Sequence, residues 1–156
     1  MKMRIGCFLA IAAACVAGGA SAAQDRWTLG FGQGVAEYAV GSFADGASHL
    51  SLSCSEAGLE PGSVSIWLVR AGYAPGRPTP ATFATDAGEV AVTLDADGWA
   101  KYPSLTAAPE FARLWRLLGS AKTLRVSYGP GAAMTFPVAE AGDLFGGAAC
   151  PKQLAR

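Results

Sequence analysis

The stretch HLSLSC at residues 49–54 alternates polar and apolar side chains, which is the pattern of a β-strand with one buried face. Leu50, Leu52 and Cys54 share one face of this strand because successive side chains point to opposite sides. The polar side chains share the other face. The alternation therefore predicts a strand that delivers Cys54 to the core, where a structural half-cystine belongs.

Short segments of the same kind, separated by Gly and Pro, continue on both sides of this strand. They lie at residues 27–31, 35–40, 64–69, 89–95, 123–128 and 134–138. Both faces of segment 64–69 are largely apolar, which favours a central strand. Asp97-Gly98 predicts a hairpin turn, with Trp99 opening the return strand. The chain is therefore expected to form a mainly β domain, a β-sandwich or open β-barrel of about seven to nine strands.

One segment follows a helical period instead of the strand period. Its apolar side chains recur three and four positions apart: Phe111, Leu114, Trp115 and Leu118. Pro109 suits the first turn of a helix and Gly119 can end it, so the sequence predicts one amphipathic helix over residues 109–118. A second, short helix is expected within residues 139–149, just before Cys150.

The first 22 residues have the organisation of a secretory signal peptide. Lys2 and Arg4 precede an apolar run over residues 5–16, and small residues follow at 18–22. The run is too short for a permanent membrane-spanning helix. We expect cleavage after about Ala22, leaving residues 23–156 as a single exported domain in a bacterial periplasm or outside the cell.

The charge pattern argues against two classes of partner. The predicted signal peptide contains two of the twelve basic residues and none of the twelve acidic ones, so the exported domain is slightly acidic. Nucleic acids and anionic membrane surfaces are bound through clusters of Lys and Arg, which this chain lacks. The sequence has no second long apolar run, so no transmembrane segment is predicted.

Of the four cysteines, Cys7 and Cys15 lie in the predicted signal peptide, and Cys54 and Cys150 remain. In an oxidising compartment these two are expected to form a disulfide, because no Cys-x-x-Cys redox spacing is present. Closing a loop of this length stabilises a fold by roughly 4–5 kcal/mol in the chain-entropy model. Lipidation at Cys15 is disfavoured, since alanines stand where a large aliphatic residue is usual.

A catalytic site is hard to assemble from this composition. His49 is the single histidine, and a triad with Asp45 and one of Ser42, Ser51 or Ser53 is conceivable. However, no Gly-x-Ser-x-Gly elbow is present, and we interpret His49 as a polar residue on the solvent face of its strand.

Metal and cofactor sites are not predicted either. One histidine and two bridged cysteines cannot supply a zinc site. The Asp95–Gly98 segment resembles the start of a calcium loop but lacks its later ligands, so a turn explains it better. We expect no metal and no cofactor.

Aromatic side chains are the remaining candidates for a binding surface. Trp67 and Trp99 lie on segments that flank the Pro-rich and Gly-rich stretch 71–80, which is expected to be an irregular loop. Tyr73 and Arg77 lie within that loop, and exposed aromatic and Arg side chains are common anchors of interfaces. The alternative is that both tryptophans serve packing and that the loop is only solvated.

The order of these features resembles two groups of small envelope proteins. A strand ending in Cys54 is followed by segments 64–69 and 90–94, an amphipathic helix, segment 124–128, and a Phe-containing stretch 136–145 before Cys150. This is similar to the invasion-associated locus B type and to periplasmic accessory proteins of type VI secretion. The resemblance implies a β-rich envelope module without catalysis, and it carries over only the cysteine pair.

These observations together predict an exported, periplasmic, non-catalytic module that binds a protein or a component of the cell envelope. A small secreted hydrolase that uses His49 is the alternative from another class. A purely structural envelope protein is the third possibility.

Overall fold

The computed structural model describes residues 24–42, 46–56 and 61–151. The predicted signal peptide, its cleavage site and Asp45 lie outside this described part. The described residues form nine strands, two α-helices and one 3-10 turn. The strands are β1 (Gln24–Gly32), β2 (Val35–Gly41), β3 (His49–Ser55), β4 (Val64–Val69), β5 (Thr79–Thr85), β6 (Gly88–Leu94), β7 (Trp99–Tyr102), β8 (Leu124–Tyr128) and β9 (Met134–Phe136). The helices are α1 (Pro109–Leu118) and α2 (Ala141–Phe145), and the 3-10 turn is Leu105–Ala107.

The strands form two antiparallel sheets, which confirms the predicted mainly β fold. One sheet has five strands in the order β1-β2-β3-β4-β7, and the other has four in the order β6-β5-β8-β9. The inner faces of both sheets contribute to one hydrophobic core. The order of neighbours shows no closed barrel among the described strands. Of the helices within the described residues, neither is long and apolar enough to cross a membrane.

The strand that the alternation predicted at residues 49–54 lies in the middle of the five-stranded sheet. β3 pairs with β2 on one side and with β4 on the other. Leu50, Leu52 and Cys54 are buried in the core, as their shared face predicts. β4 is likewise an internal strand, because β3 and β7 flank it.

The predicted hairpin at Asp97-Gly98 is wrong in its pairing, although the local turn forms. The Asp95 N–H donates to the Trp99 carbonyl at 2.7 Å, which closes the turn. However, β6 and β7 then separate into different sheets, and β7 pairs with β4. The Leu68 N–H donates to the Gly98 carbonyl at 2.9 Å, so the turn itself is docked on the end of β4.

Gly98 is required for this docking. Its φ of +85° is a conformation that favours glycine, and a Cβ atom here would collide with the Leu68 carbonyl oxygen. The turn residues predict a reversal of the chain correctly. They do not determine which strand receives the returning chain, because that choice depends on contacts with β4.

The predicted helix over residues 109–118 is confirmed, with the same bounds. Phe111, Leu114, Trp115 and Leu118 are all buried, as the helical period requires. The C-terminal helix is shorter than the predicted range of 139–149. It covers only Ala141–Phe145 because Gly146 and Gly147, which disfavour helix, follow directly.

Phe145 of α2 anchors the end of the described chain in an aromatic cluster. Its ring lies 4.9 Å from Trp27, 4.8 Å from Trp115 and 5.4 Å from Tyr38, measured between ring centroids. The Trp27 and Trp115 contacts are edge-to-face, the arrangement that aromatic quadrupoles favour. The cluster therefore joins α1, α2 and the first hairpin.

The disulfide predicted between Cys54 and Cys150 is present. It joins residues 96 positions apart, with their Cα atoms 5.6 Å from each other. Cys54 is on the buried face of β3, and Cys150 follows α2. The bond therefore holds the segment after α2 against the middle of the five-stranded sheet.

Replacing both cysteines, as Cys54→Ala with Cys150→Ala, should lower the free energy of unfolding by about 2–5 kcal/mol, the range typical of removing a native disulfide from a small exported domain. The long loop that the bond closes restricts the unfolded chain, and the double variant loses that restriction. Urea unfolding of both proteins measures the difference. Unreduced wild-type protein should weigh two hydrogens less than its reduced form by mass spectrometry. Equal midpoints for the wild type and the double variant would contradict this account of the bond.

Candidate functional site

The four side chains predicted as a binding surface fall into two separate groups. Trp67 and Trp99 meet on the face of the five-stranded sheet that points away from the core. Tyr73 and Arg77 line a groove at the end of β4, and neither tryptophan lines that groove. The sequence therefore identified two surfaces and not one.

The two tryptophans form a stack that other side chains extend on the same sheet face. Their rings are parallel within 3°, with centroids 4.9 Å apart. The ring of His49 packs on Trp67 at 5.4 Å, and the Lys101 ammonium lies over Trp99 at 5.0 Å from its centroid. The Trp67 indole N–H donates to the Asp97 carbonyl at 3.2 Å. This arrangement favours packing on the second face of the sheet over an open platform for a ligand.

His49 does not lie in solvent, which corrects the prediction from its strand position. Only 3% of the residue is exposed, because this sheet face carries large aromatic side chains such as Trp67. Burial lowers the pKa of His49 from its ordinary value of 6.5, and the nearby Glu37 carboxylate partly opposes this. Of its conceivable partners in a triad, Ser42 and Ser51 are also buried.

The loop after β4 begins with a tight turn. Arg70 and Tyr73 exchange both backbone hydrogen bonds, at 3.0 and 2.9 Å. The two residues between them, Ala71 and Gly72, have φ of 51° and 79°, as in a type I′ turn. The Gly72 N–H also donates to the Ala47 carbonyl at 2.8 Å, which fixes the turn on the neighbouring loop.

The loop is held at its far end as well, so it is less irregular than its Pro and Gly content predicts. The Gly76 N–H donates to the Ala96 carbonyl at 2.9 Å, and the Thr79 hydroxyl donates to the Arg77 carbonyl at 2.9 Å. Pro80, predicted to lie in the loop, belongs to β5. β5 pairs with β8 only from Ala81 onwards, so proline is tolerated at this end of the strand.

Arg70 connects the two sheets beside this loop. Its guanidinium donates to the carbonyls of Tyr128 and Pro130, both at 3.0 Å, and more weakly to that of Ala132 at 3.5 Å. The guanidinium carbon also lies 4.4 Å from the centroid of the Tyr128 ring. The Tyr128 hydroxyl in turn donates to the Tyr73 carbonyl at 3.0 Å. Arg70 thereby links β4, β8 and the loop into one unit.

The electrostatics of Tyr128 reflect the same contacts. Burial raises the pKa of its hydroxyl, and the positive charge of Arg70 partly counteracts that rise. The hydroxyl therefore stays protonated and remains a hydrogen-bond donor to the loop at neutral pH.

A groove of about 410 Å³ opens between this loop and the end of β8. Its lining includes Arg70, Tyr73, Arg77, Thr79, Tyr128 and Pro130. Tyr73 is 78% exposed, and Arg77 is exposed beside it. No Asp or Glu is present among the described residues that line this groove. The site therefore offers two guanidinium groups and an aromatic ring on a backbone that is already fixed.

Sequence reasoning missed Arg70 and Tyr128. Arg70 directly follows the apolar strand β4, and Tyr128 directly precedes Gly129-Pro130-Gly131. A charged residue at the end of a central strand is a signal that could have been used. Its acceptors could not be identified, because they lie about sixty residues further along the chain.

Metal-ligand chemistry finds no support in the described part of the chain. No group of three or more His, Cys, Asp or Glu side chains there could hold an ion. The Asp95 carboxylate, in the segment that resembles the start of a calcium loop, accepts from the backbone N–H groups of Asp97 and Trp99 at 2.9 and 2.8 Å. These hydrogen bonds stabilise the turn that the sequence predicts at Asp97-Gly98.

A family model, YfjT, matches residues 25–145, which run from β1 to the last residue of α2. The chain belongs to the YfjT family. The match includes both sheets, both helices and the groove, and it ends before Cys150. Neither the curated proteins nor the solved structures contain a match to this YfjT-family chain.

The buried histidine of this YfjT-family protein makes its stability depend on pH. Because the folded-state pKa of His49 is lowered, the unfolded chain binds a proton more readily than the folded one. Its contribution to stability is complete above the unfolded-state pKa of about 6.5 and is lost as the pH falls through the folded-state pKa. The protein should therefore unfold more easily at about pH 5 than at pH 7.

The titration can be followed directly, since the sequence has one histidine and one imidazole C2 proton signal. We expect its NMR pKa to lie below 6.5, and His49→Gln to flatten the dependence of the unfolding midpoint on pH. A pKa at or above 6.5 would show that the ring is not desolvated as described.

Proposed function

We propose that this YfjT-family protein is an exported, non-catalytic module that binds a protein partner of the cell envelope in the Arg70–Tyr73–Arg77 groove. The observation that carries the proposal is the exposed Tyr73 and Arg77 pair on a loop fixed at both ends. Tyr and Arg, together with Trp, are enriched among the side chains that dominate binding energy at interfaces. A fixed backbone also reduces the entropy lost on binding.

The predicted signal peptide and the Cys54–Cys150 bond support the exported location, because disulfides persist in oxidising compartments such as the periplasm. The role also agrees with what the resemblance to the invasion-associated locus B and type VI accessory proteins implies. That relationship remains a prediction.

The hydrolase alternative receives less support from the geometry. A general base must come within hydrogen-bond reach of a substrate proton, and His49 is 3% exposed behind Trp67. Purified wild-type protein should therefore show no esterase, protease or muramidase activity. Any such activity that His49→Gln abolishes would replace the binding proposal with the hydrolase.

The binding proposal is tested with a photo-crosslinking amino acid placed at position 73 in the native host. Phe31 is the matched control, since among the described residues it is the other large aromatic side chain that is exposed, with 52% of its surface accessible. We expect one envelope protein, identified by mass spectrometry, to crosslink from position 73 and not from position 31. Adding Arg77→Ala should reduce that product several-fold, because it removes the neighbouring anchor.

A purely structural role would give a different crosslinking result. Crosslinks from positions 73 and 31 would then be equal, or absent at both. Either result, with wild-type folding shown by an unchanged urea midpoint, would contradict the proposed function.

A further inference from the structure

We infer that the groove takes an acidic peptide segment, bound through carboxylates that face Arg70 and Arg77. This inference rests on the proposed function and names the chemistry of the partner.

The charged groups of the groove can only donate hydrogen bonds. Arginine has no acceptor, so the guanidinium groups of Arg70 and Arg77 can pair only with acceptors. A ligand that fills this space must therefore supply acceptors. Carboxylates do so with two oxygens that match the planar fork of a guanidinium.

Arg70 leaves a positive charge that the described residues do not neutralise. Its partners are three carbonyl oxygens and the face of Tyr128, and none of them is a carboxylate. The side chain is half-buried, so solvent screens this charge less than that of an exposed arginine. The positive potential of Arg70 therefore exists before an anionic ligand binds, and the ligand is attracted without any change in the conformation of Arg70.

Arg77 adds a second cation within the same lining, and Tyr73 adds an exposed ring. The volume of about 410 Å³ is near the lower end of the 300–1,000 Å³ typical of small-molecule pockets. It accommodates a few side chains of an extended segment and not a folded surface. An acidic segment with at least two carboxylates matches both the charge and the size.

A neutral sugar fits the same groove poorly. Its hydroxyls find side-chain acceptors in the described lining only in the hydroxyl oxygens of Tyr73, Thr79 and Tyr128, and a neutral ligand leaves the two guanidinium charges without a counter-charge. Free phosphate and anionic sugars remain as competing anions, and the experiment tests each of them.

The probe is hexaglutamate, with hexaglutamine as its uncharged control of equal length. The protein, purified as the host exports it with the disulfide intact, is labelled with ¹⁵N and titrated by NMR. We expect hexaglutamate to shift the amides of Tyr73, Gly76 and Gly129, and hexaglutamine to leave them unmoved. Arg77→Gln should weaken binding about tenfold, the effect of losing one charge-assisted contact.

Arg125→Gln is the matched control variant, because Arg125 is exposed on β8 and does not line the groove. It should leave the affinity for hexaglutamate unchanged. If both arginine variants weaken hexaglutamate binding equally, the peptide responds only to the net charge of the protein, and the inference is overturned. Shifts confined to amides outside the groove would overturn it as well.

Inorganic phosphate and trigalacturonate complete the series. Tighter binding of either one at the same amides would overturn the choice of a peptide. If position 73 crosslinks to an envelope partner while hexaglutamate fails to bind, the inference of an acidic partner segment is wrong and the proposed function stands. If hexaglutamate binds as expected and no partner is captured, the proposed function is wrong and the anion site remains.

Discussion

The candidate site depends on the hydrogen bonds that the Arg70 guanidinium donates to backbone carbonyls. It joins the end of β4 to the carbonyls of Tyr128 and Pro130, and so it spans from one sheet to the other. Hydrogen bonds to a charged group contribute about 1.5–3 kcal/mol when they are well formed. Because the acceptors are neutral carbonyls, Arg70 fixes the groove and keeps its positive charge. The same residue can therefore serve the structure and attract a ligand.

The rest of the fold supplies the rigid base for that site. The loop that carries Tyr73 and Arg77 begins where β4 ends, and β4 lies next to the central strand β3. β3 is in turn tied to the segment after α2 by the Cys54–Cys150 bond. The aromatic cluster around Phe145 holds α2 against α1 and the first hairpin. A backbone held in this way presents an exposed loop with little freedom to lose on binding.

Local pattern predicted the parts of the fold that depend on local physics. The helix Pro109–Leu118 follows from the spacing of four apolar side chains, and the burial of Cys54 follows from the alternation in its strand. The disulfide is predicted on another ground, because Cys54 and Cys150 are the two cysteines outside the predicted signal peptide. The partner of β7 could not be predicted, because Trp99 and Gly98 dock on β4 through contacts distant in sequence. The burial of His49 and the role of Arg70 depend on similar long-range contacts. For the site, the sequence identified Tyr73 and Arg77 but not the residues that hold them.

Amide hydrogen exchange tests most directly whether Arg70 holds the groove together. Arg70→Met should speed exchange about tenfold at Tyr73 and Gly76, whose N–H groups donate to the backbone carbonyls of Arg70 and Ala96. The amide of Leu52 in β3 should be unchanged, which shows that the fold is intact. Unchanged exchange at Tyr73 and Gly76 in Arg70→Met would show that the loop is fixed without Arg70, and it would contradict the account.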